Sequence, residues 1–307
     1  MPHYVIFGTG PLGLAVGRQL MPSGHSIRMV NRSGKAQMPD GVEIVIADAT
    51  DPAATTKVCK GAATVFHCAT AAYGRWAAAL PPIMNGIIEG ASAAGARLVY
   101  GDNLYAYGHV DGPINEDLPY RPVGPNTKAR ADVATTLMNA HAKRKVRATI
   151  GRASDFYGLH ARQSKAGDGI FARALAGKPA QVVGDPDAPH TLTFIEDFAA
   201  ALVTLSQEDK ALGEVWHVPN AETVTMRQFV DMVFLQLGRP SRLQGVPTLL
   251  ISLLALVAPP MAAVKETMYQ SERPWVVDHS KYARAFGAQP TAHKTAIAQT
   301  IAWFRNA

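Results

Sequence analysis

Cysteine is nearly absent: Cys59 and Cys68 are the only two in 307 residues. Two thiols cannot build a disulfide framework, and these lie too far apart for a C-x-x-C redox or zinc pair. They read as buried thiols in a reducing cytoplasm. Charge is sparse at 18%, no block of five like charges occurs, and the net charge is +6. Without a basic helix or nucleic-acid module, that surplus points to a small anionic ligand and no nucleic-acid partner. No uninterrupted apolar run spans a bilayer, which takes about 20 residues. Val246 to Val264 comes nearest, but Pro247, Pro259 and Pro260 break it and leave only Thr248 to Ala258. This stretch is expected to be a buried or dimer-facing helix, so a homodimer is an expectation and a membrane is not. Met1-Pro2-His3 runs straight into the apolar Tyr4 to Phe7, so no signal peptide is expected. No histidine or carboxylate set has metal-ligand spacing, and no metal is expected.

What is present is a large apolar fraction, 48%, enough for one large or two medium domains and too much for a disordered chain. Short β-rich runs alternate with Ala-rich segments: Tyr4 to Phe7, Ser26 to Val30, Val42 to Ile46, Thr64 to His67, Arg97 to Tyr100 and Arg147 to Ile150. Strands separated by helical stretches pair in parallel, because each connection must cross back over the sheet. The rhythm predicts an α/β fold with a doubly wound parallel sheet. After Tyr157 the loop signals multiply, at Gly158, Gly167, Gly169 and the turns Gly177-Lys178-Pro179 and Gly184-Asp185-Pro186. A strand from His190 to Ile195, a helix from Glu196 to about Ser206, a strand from Glu214 to Val218 and a helix Met226 to Leu237 capped by Thr225 follow. The expected division assigns 1–157 and about 190–218 to a dinucleotide-binding domain. The remainder, 158–189 and about 219–307, forms a smaller, discontinuous C-terminal substrate lobe.

Gly8-Thr9-Gly10-Pro11-Leu12-Gly13 follows the first strand and opens a helix from Leu12 to Leu20. In that setting the first glycine permits the turn, the second admits a pyrophosphate, the third lets helix meet strand, and the helix N-terminus attracts phosphate charge. An NAD site usually places a carboxylate at the end of the second strand. Here the chain reads Val30-Asn31-Arg32-Ser33-Gly34-Lys35, with no acid. Arg32, Ser33 and Lys35 could instead surround a 2′-phosphate, which favours NADP(H) over NAD(H); the alternative is a solvated basic turn. Asp48 could accept from the adenine amino group or cap the helix that starts at Pro52. His67 reads as a packed strand histidine, Glu116-Asp117 as a loop cluster, and Trp76 and Trp216-His217 as core.

The glycine motif, Ala47-Asp48-Ala49-Thr50-Asp51, Leu98-Val99-Tyr100-Gly101-Asp102-Asn103-Leu104-Tyr105-Ala106-Tyr107-Gly108, Arg152-Ala153-Ser154-Asp155-Phe156-Tyr157-Gly158 and the strand before Glu196-Asp197 together resemble, in that order, the extended and atypical short-chain dehydrogenase/reductases. The nearest look is to the NAD-dependent epimerase/dehydratase-like branch. The resemblance covers nearly the whole chain and implies a Rossmann-type fold. It implies a cofactor site made of Gly8, Thr9, Gly10, Pro11, Leu12, Gly13, Asn31, Arg32, Ser33, Asp48, Ala49, Ala69, Thr70, Lys128 and Ser154.

The departures bear on the reaction. Phe7 stands where extended members carry their first glycine, and Gly8 supplies the turn. The family's catalytic Ser or Thr falls on Asn103. Its Tyr-x-x-x-Lys pair falls on Gly124 and Lys128, so the lysine is present and the tyrosine absent. Lys128 can still bind ribose and Asn103 can polarise a carbonyl, but an amide delivers no proton at neutral pH. Tyr73, Tyr105, Tyr107 and Tyr157 are the candidate acids. Tyr105, just beyond Asn103, is the first choice; its alternative is an aromatic packed in the cleft wall, and Tyr107 matches a structural position. The expected function is an NADP-dependent oxidoreductase acting on a small carbonyl or alcohol by hydride transfer. A non-catalytic NADP-binding regulator is the second reading and a nucleotide-sugar epimerase or dehydratase the third.

Overall fold

The computed structural model describes residues 3–72, 74–246, 248, 251, 255 and 259–307. Seven strands form one sheet: β1 His3–Phe7, β2 Ser26–Asn31, β3 Val42–Ile46, β4 Thr64–His67, β5 Arg97–Asn103, β6 Arg147–Ala153 and, later in the chain, Val215–His217. Their order from one edge is the late strand, then β6, β5, β4, β1, β2 and β3. All neighbours pair in parallel. Four helices connect the strands on the way: α1 Pro11–Leu20, α2 Pro52–Cys59, α3 Trp76–Ala93 and α4 Pro125–Ala142. The strand order reverses between β1 and β4, so the crevice at their carboxyl ends is where a ligand of such a sheet belongs.

Two apolar layers sandwich the sheet. One gathers Val5, Phe7, Val65, Leu98 and Ile150 with Leu80, Ile87 and Leu137 of α3 and α4. The other gathers Ile6, Met29, Phe66 and Val99 with Leu12, Val16 and Leu20 of α1 and with Phe198 and Leu202. Each large side chain so buried contributes roughly 1.5–3 kcal/mol over its exposed state, which is what fixes the helices against the strands.

The smaller lobe starts with β7 Asp155–Tyr157, α5 Phe171–Leu175, β8 Ala180–Val183, β9 Pro189–His190 and β10 Leu192–Phe194. α6 Ile195–Gln207 then returns to the main sheet, where its Phe198 and Leu202 pack with α1, and β11 Val215–His217 is the sheet's late edge strand. β12 Val224–Thr225, α7 Met226–Gln236 and β13 Leu243–Val246 complete the lobe with C-terminal helices that include Pro259–Glu266 and His293–Asn306, whereas helix Ser280–Phe286 packs its Tyr282 and Phe286 on the main sheet beside β11. Thr225 caps α7 as expected, accepting from the Gln228 amide while the Gln228 side chain accepts from Thr225.

The stretch expected as one strand from His190 to Ile195 is instead two short strands. β9 pairs with β12 and β10 with β7, both outside the main sheet. Thr191 between them donates its amide to Trp275, which breaks the run. Most of the apolar segment around Thr248 to Ala258 lies outside the described residues, as does Tyr73. No described helix is long and apolar enough to cross a membrane.

Candidate active site

The glycine loop bridges the crevice. Gly8 has φ +103, and a Cβ there would lie 2.8 Å from the Ala69 backbone across the gap; only glycine suits both the angle and the space. A Cβ on Gly13 would lie 1.9 Å from the Gly8 carbonyl oxygen, so this residue lets α1 press against the loop. Gly10 differs. It is the N-cap of α1, with φ −76, and a Cβ there meets nothing within 4 Å. Nothing among the described residues requires a glycine at that point, whereas a pyrophosphate lying on the helix N-terminus would. The residues therefore fit a dinucleotide.

At the end of β2, Asn31 organises the loop. Its Nδ2 donates to Thr9 Oγ1 and to the Lys35 carbonyl, both at 2.7 Å. Its Oδ1 accepts from the amides of Ser33 and Gly34. A carboxylate could not make the two donor bonds, which is a physical reason for an amide where an acid is usual. Arg32, Ser33 and Lys35 are exposed around this turn, and the Arg32 charge is felt by Asp48. Asp48 accepts from the Thr50 amide and hydroxyl, and those bonds hold its carboxyl below the usual range. The cap of α2 is Asp51, which accepts from Ala53, so Asp48 is not consumed in that role. Ala49 packs against the core beside it.

Across the crevice, Ala69 and Thr70 follow β4. Thr70 Oγ1 accepts from Arg130 at 3.1 Å. Arg130, almost fully buried on α4, also donates to the Tyr100 hydroxyl at 3.0 Å and lies 4.4 Å over the Trp76 ring. Its buried Nε has no partner among the described residues. Asp102 stands between Arg130 and the fully buried Arg152, with Arg152 Nε at 3.1 Å. His67, its ring tilted against Tyr100 at 4.7 Å, is pushed down to about 3 by burial and then by the Arg130 charge, as suits a packed strand histidine.

Asn103 and Tyr105 come together just past β5. The Asn103 side-chain oxygen accepts from the Tyr105 amide at 3.1 Å, which fixes the amide group. The Tyr105 ring is half-buried and stacks on Trp76 at 5.8 Å. Its hydroxyl donates to Asp155 Oδ1 at 3.2 Å. Tyr107 is buried with its hydroxyl 2.9 Å from His217 Nε2, and Tyr157 is buried with its hydroxyl 2.9 Å from His293 Nδ1. Both are structural. Glu116 accepts from the His217 amide, and Ser154 is buried with its amide donating to Thr193.

Lys128 is not brought against Asn103 or Tyr105 by any described contact. Its side chain is 65% exposed and pairs with Asp132 at 2.6 Å, one turn along α4. The place of the missing tyrosine is filled from elsewhere. A Cβ on Gly124 would lie 2.5 Å from the Glu266 carboxyl carbon. That carboxylate accepts from the Thr127 amide at 2.6 Å and from Asn126 Nδ2 at 2.9 Å. It caps the start of α4 from the smaller lobe. Sequence reading gave Arg130, Asp155, Lys165, His190 and Glu266 no part in the site. The one available signal was the acid in Arg152-Ala153-Ser154-Asp155, a segment already singled out by resemblance. Among the described residues no cluster could hold a metal ion.

Comparison with known proteins follows the same lines. The family model described as "NAD dependent epimerase/dehydratase family" matches residues 4–218. A 2'-dehydrokanamycin reductase of Streptomyces kanamyceticus is 27% identical over 250 residues, covering 78% of this chain and 68% of that protein. Among solved structures, an epimerase, Mth375, of Methanothermobacter thermautotrophicus superposes with TM-score 0.83 at 16% identity, over 99% of this chain and 92% of the other. A double mutant of DesIV, a dTDP-glucose 4,6-dehydratase of Streptomyces venezuelae with NAD and DAU bound, gives 0.80 at 17% identity, over 99% and 97%. These structural likenesses concern the fold.

Proposed function

Because the chain belongs to the NAD dependent epimerase/dehydratase family, we propose that it is an NADP(H)-dependent oxidoreductase reducing a small carbonyl compound or oxidising the matching alcohol. The observation that carries this reading is the pairing of Asn103 with Tyr105, whose phenol is anchored to a buried carboxylate at the carboxyl end of β5. It stands across the crevice from a glycine loop with open space at Gly10. Gly8 to Gly13 and the start of α1 hold the pyrophosphate, Arg32, Ser33 and Lys35 the 2′-phosphate, Asp48 the adenine, and Thr70 the nicotinamide side, with Lys128 turned from Asp132 to the ribose. When bound, the dinucleotide supplies or accepts the hydride. Asn103 Nδ2 donates to the substrate oxygen and polarises it, and Tyr105 delivers the proton. The smaller lobe forms the substrate wall. The two free thiols suit a reducing cytoplasm.

The second reading, an NADP-binding regulator without turnover, draws on Glu266 closing the tyrosine's place at Gly124. Calorimetric titration with NADPH and NADH, followed by an NADPH-oxidation screen over aldehydes, ketones and nucleotide sugars, separates the two. The oxidoreductase reading predicts tighter NADPH binding, with Arg32 contributing roughly 1.5–3 kcal/mol, and turnover on at least one carbonyl class. Equal affinities, or a preference that survives Arg32→Ala, contradict the cofactor assignment. Micromolar binding with no turnover on any class favours the regulator.

A further inference from the structure

Asp155 opens β7, where the chain leaves the main sheet, and its side chain is 8% exposed. Its two oxygens face different ways chemically. Oδ1 accepts from the Tyr105 phenol at 3.2 Å, while Oδ2 lies 2.6 Å from Lys165 Nζ and 3.0 Å from His190 Nε2. These partners come from separate segments: the loop before Phe171, strand β9 and the turn after β5. An ionised carboxylate this deep costs several kcal/mol unless it is paired, and the fold sets a lysine charge, a histidine ring and a phenol against it. Burial alone would raise the carboxyl, but the Lys165 charge and the His190 bond outweigh it and hold it below the usual carboxylate range. Burial, and then the same Lys165 charge, pushes His190 below its ordinary value. Lys165 has a side chain 21% exposed, but its Nζ is buried beside the carboxylate.

We propose that Asp155 and Lys165 are the positioning pair for Tyr105, doing from the smaller lobe what a lysine beside the tyrosine does in the family's usual arrangement. Asp155 fixes the place of the phenol by accepting its O–H, and on substrate binding the O–H turns from Oδ1 to the substrate oxygen. Lys165 offsets the charge of Asp155, so that the phenol beside it can part with a proton without leaving two uncompensated negative groups in contact. In the step itself the phenolic O–H bond breaks, the substrate oxygen takes the proton, and water returns one to the phenolate. Arg130 also faces this ring: it stacks on Trp76, and its charge is coupled to Tyr105. Tyr269 donates its hydroxyl to the Tyr105 carbonyl. The inference rests on Tyr105 being the proton donor.

Two substitutions make opposite claims on one observable, the titration of Tyr105 in cofactor-free protein. It is followed by NMR of ring-labelled tyrosine and assigned with Tyr105→Phe. Lys165→Met leaves the Asp155 charge unbalanced and should raise the midpoint by about one pH unit. Asp155→Asn leaves the Lys165 charge unopposed and should lower it by a similar amount. Lys165→Arg, which keeps the charge, should restore the wild-type midpoint. Unchanged midpoints, or shifts of the same sign in both variants, overturn the proposal; if Asp155→Asn does not fold, a midpoint that fails to rise in Lys165→Met does so alone. Turnover distinguishes the underlying reading. A Tyr105→Phe protein that keeps its rate removes the donor itself, whereas a rate lost there with unmoved midpoints overturns only the positioning pair.

Discussion

Gly10 shows how a residue can be read for a ligand. Its φ of −76 is available to any residue and a Cβ meets nothing within 4 Å, in contrast to Gly8 and Gly13, where backbone blocks one. Gly10→Val should therefore fold, losing about 1 kcal/mol or less at the helix cap, yet fail to bind NADPH in calorimetry. A variant that binds normally would reduce the motif to a turn. The glycine motif and the missing acid after β2 were legible because they are local: adjacent residues, one turn, one helix start. The filling of Gly124's neighbourhood was not. Glu266 is supplied by a distant segment, and nothing in the spelling of either residue says that they meet. The same holds for Asp155, whose partners Tyr105, Lys165 and His190 are assembled by tertiary packing.

At the scale of elements, the alternation of β-rich and Ala-rich runs located six of the seven strands of the main sheet, since parallel pairing leaves strands apolar on both faces, and the seventh was read only as a later strand from Glu214 to Val218. Their ends were less legible. β5 and β6 continue three residues past Tyr100 and Ile150, through Gly101, Asp102 and Asn103 paired with Gly151, Arg152 and Ala153. Glycine and charge ordinarily stop a strand; here the Asp102–Arg152 ion pair is buried and the glycines are covered. Leu202 of α6 lies over both, its methyls 3.2 Å from a Cβ built on Gly101 and 2.5 Å from one on Gly151. The glycine pair is the hole and Leu202 the knob. Leu202→Ala should cost about 2–5 kcal/mol, read as a drop in the urea midpoint. A loss well under 1 kcal/mol would mean that α6 is not seated there.

For the whole molecule, α6 and β11 return to the large sheet from beyond the smaller lobe's first strands, and buried histidines tie the stability of the fold to pH. Burial, followed by a neighbouring arginine, holds His67 and His217 each at about 3, against about 6.5 in an unfolded chain. Between those values the unfolded state binds the extra protons, so stability is complete above about pH 6.5 and falls as the pH drops, by roughly 1.4 kcal/mol per unit for each histidine. Asp155, held low, adds its own loss only below about pH 4. Urea midpoints at pH 7 and 5 should differ markedly; a midpoint independent of pH would contradict the burial of these rings. The central claim, a reductase that has moved its acid from the absent tyrosine to Tyr105, is tested most directly by NADPH turnover. Wild-type protein and Tyr105→Phe should be compared at saturating cofactor on the carbonyl substrate found by screening. A loss of roughly 10²–10⁴-fold with unchanged NADPH affinity is the predicted result, as for a positioned general acid; a loss of less than about tenfold would contradict it.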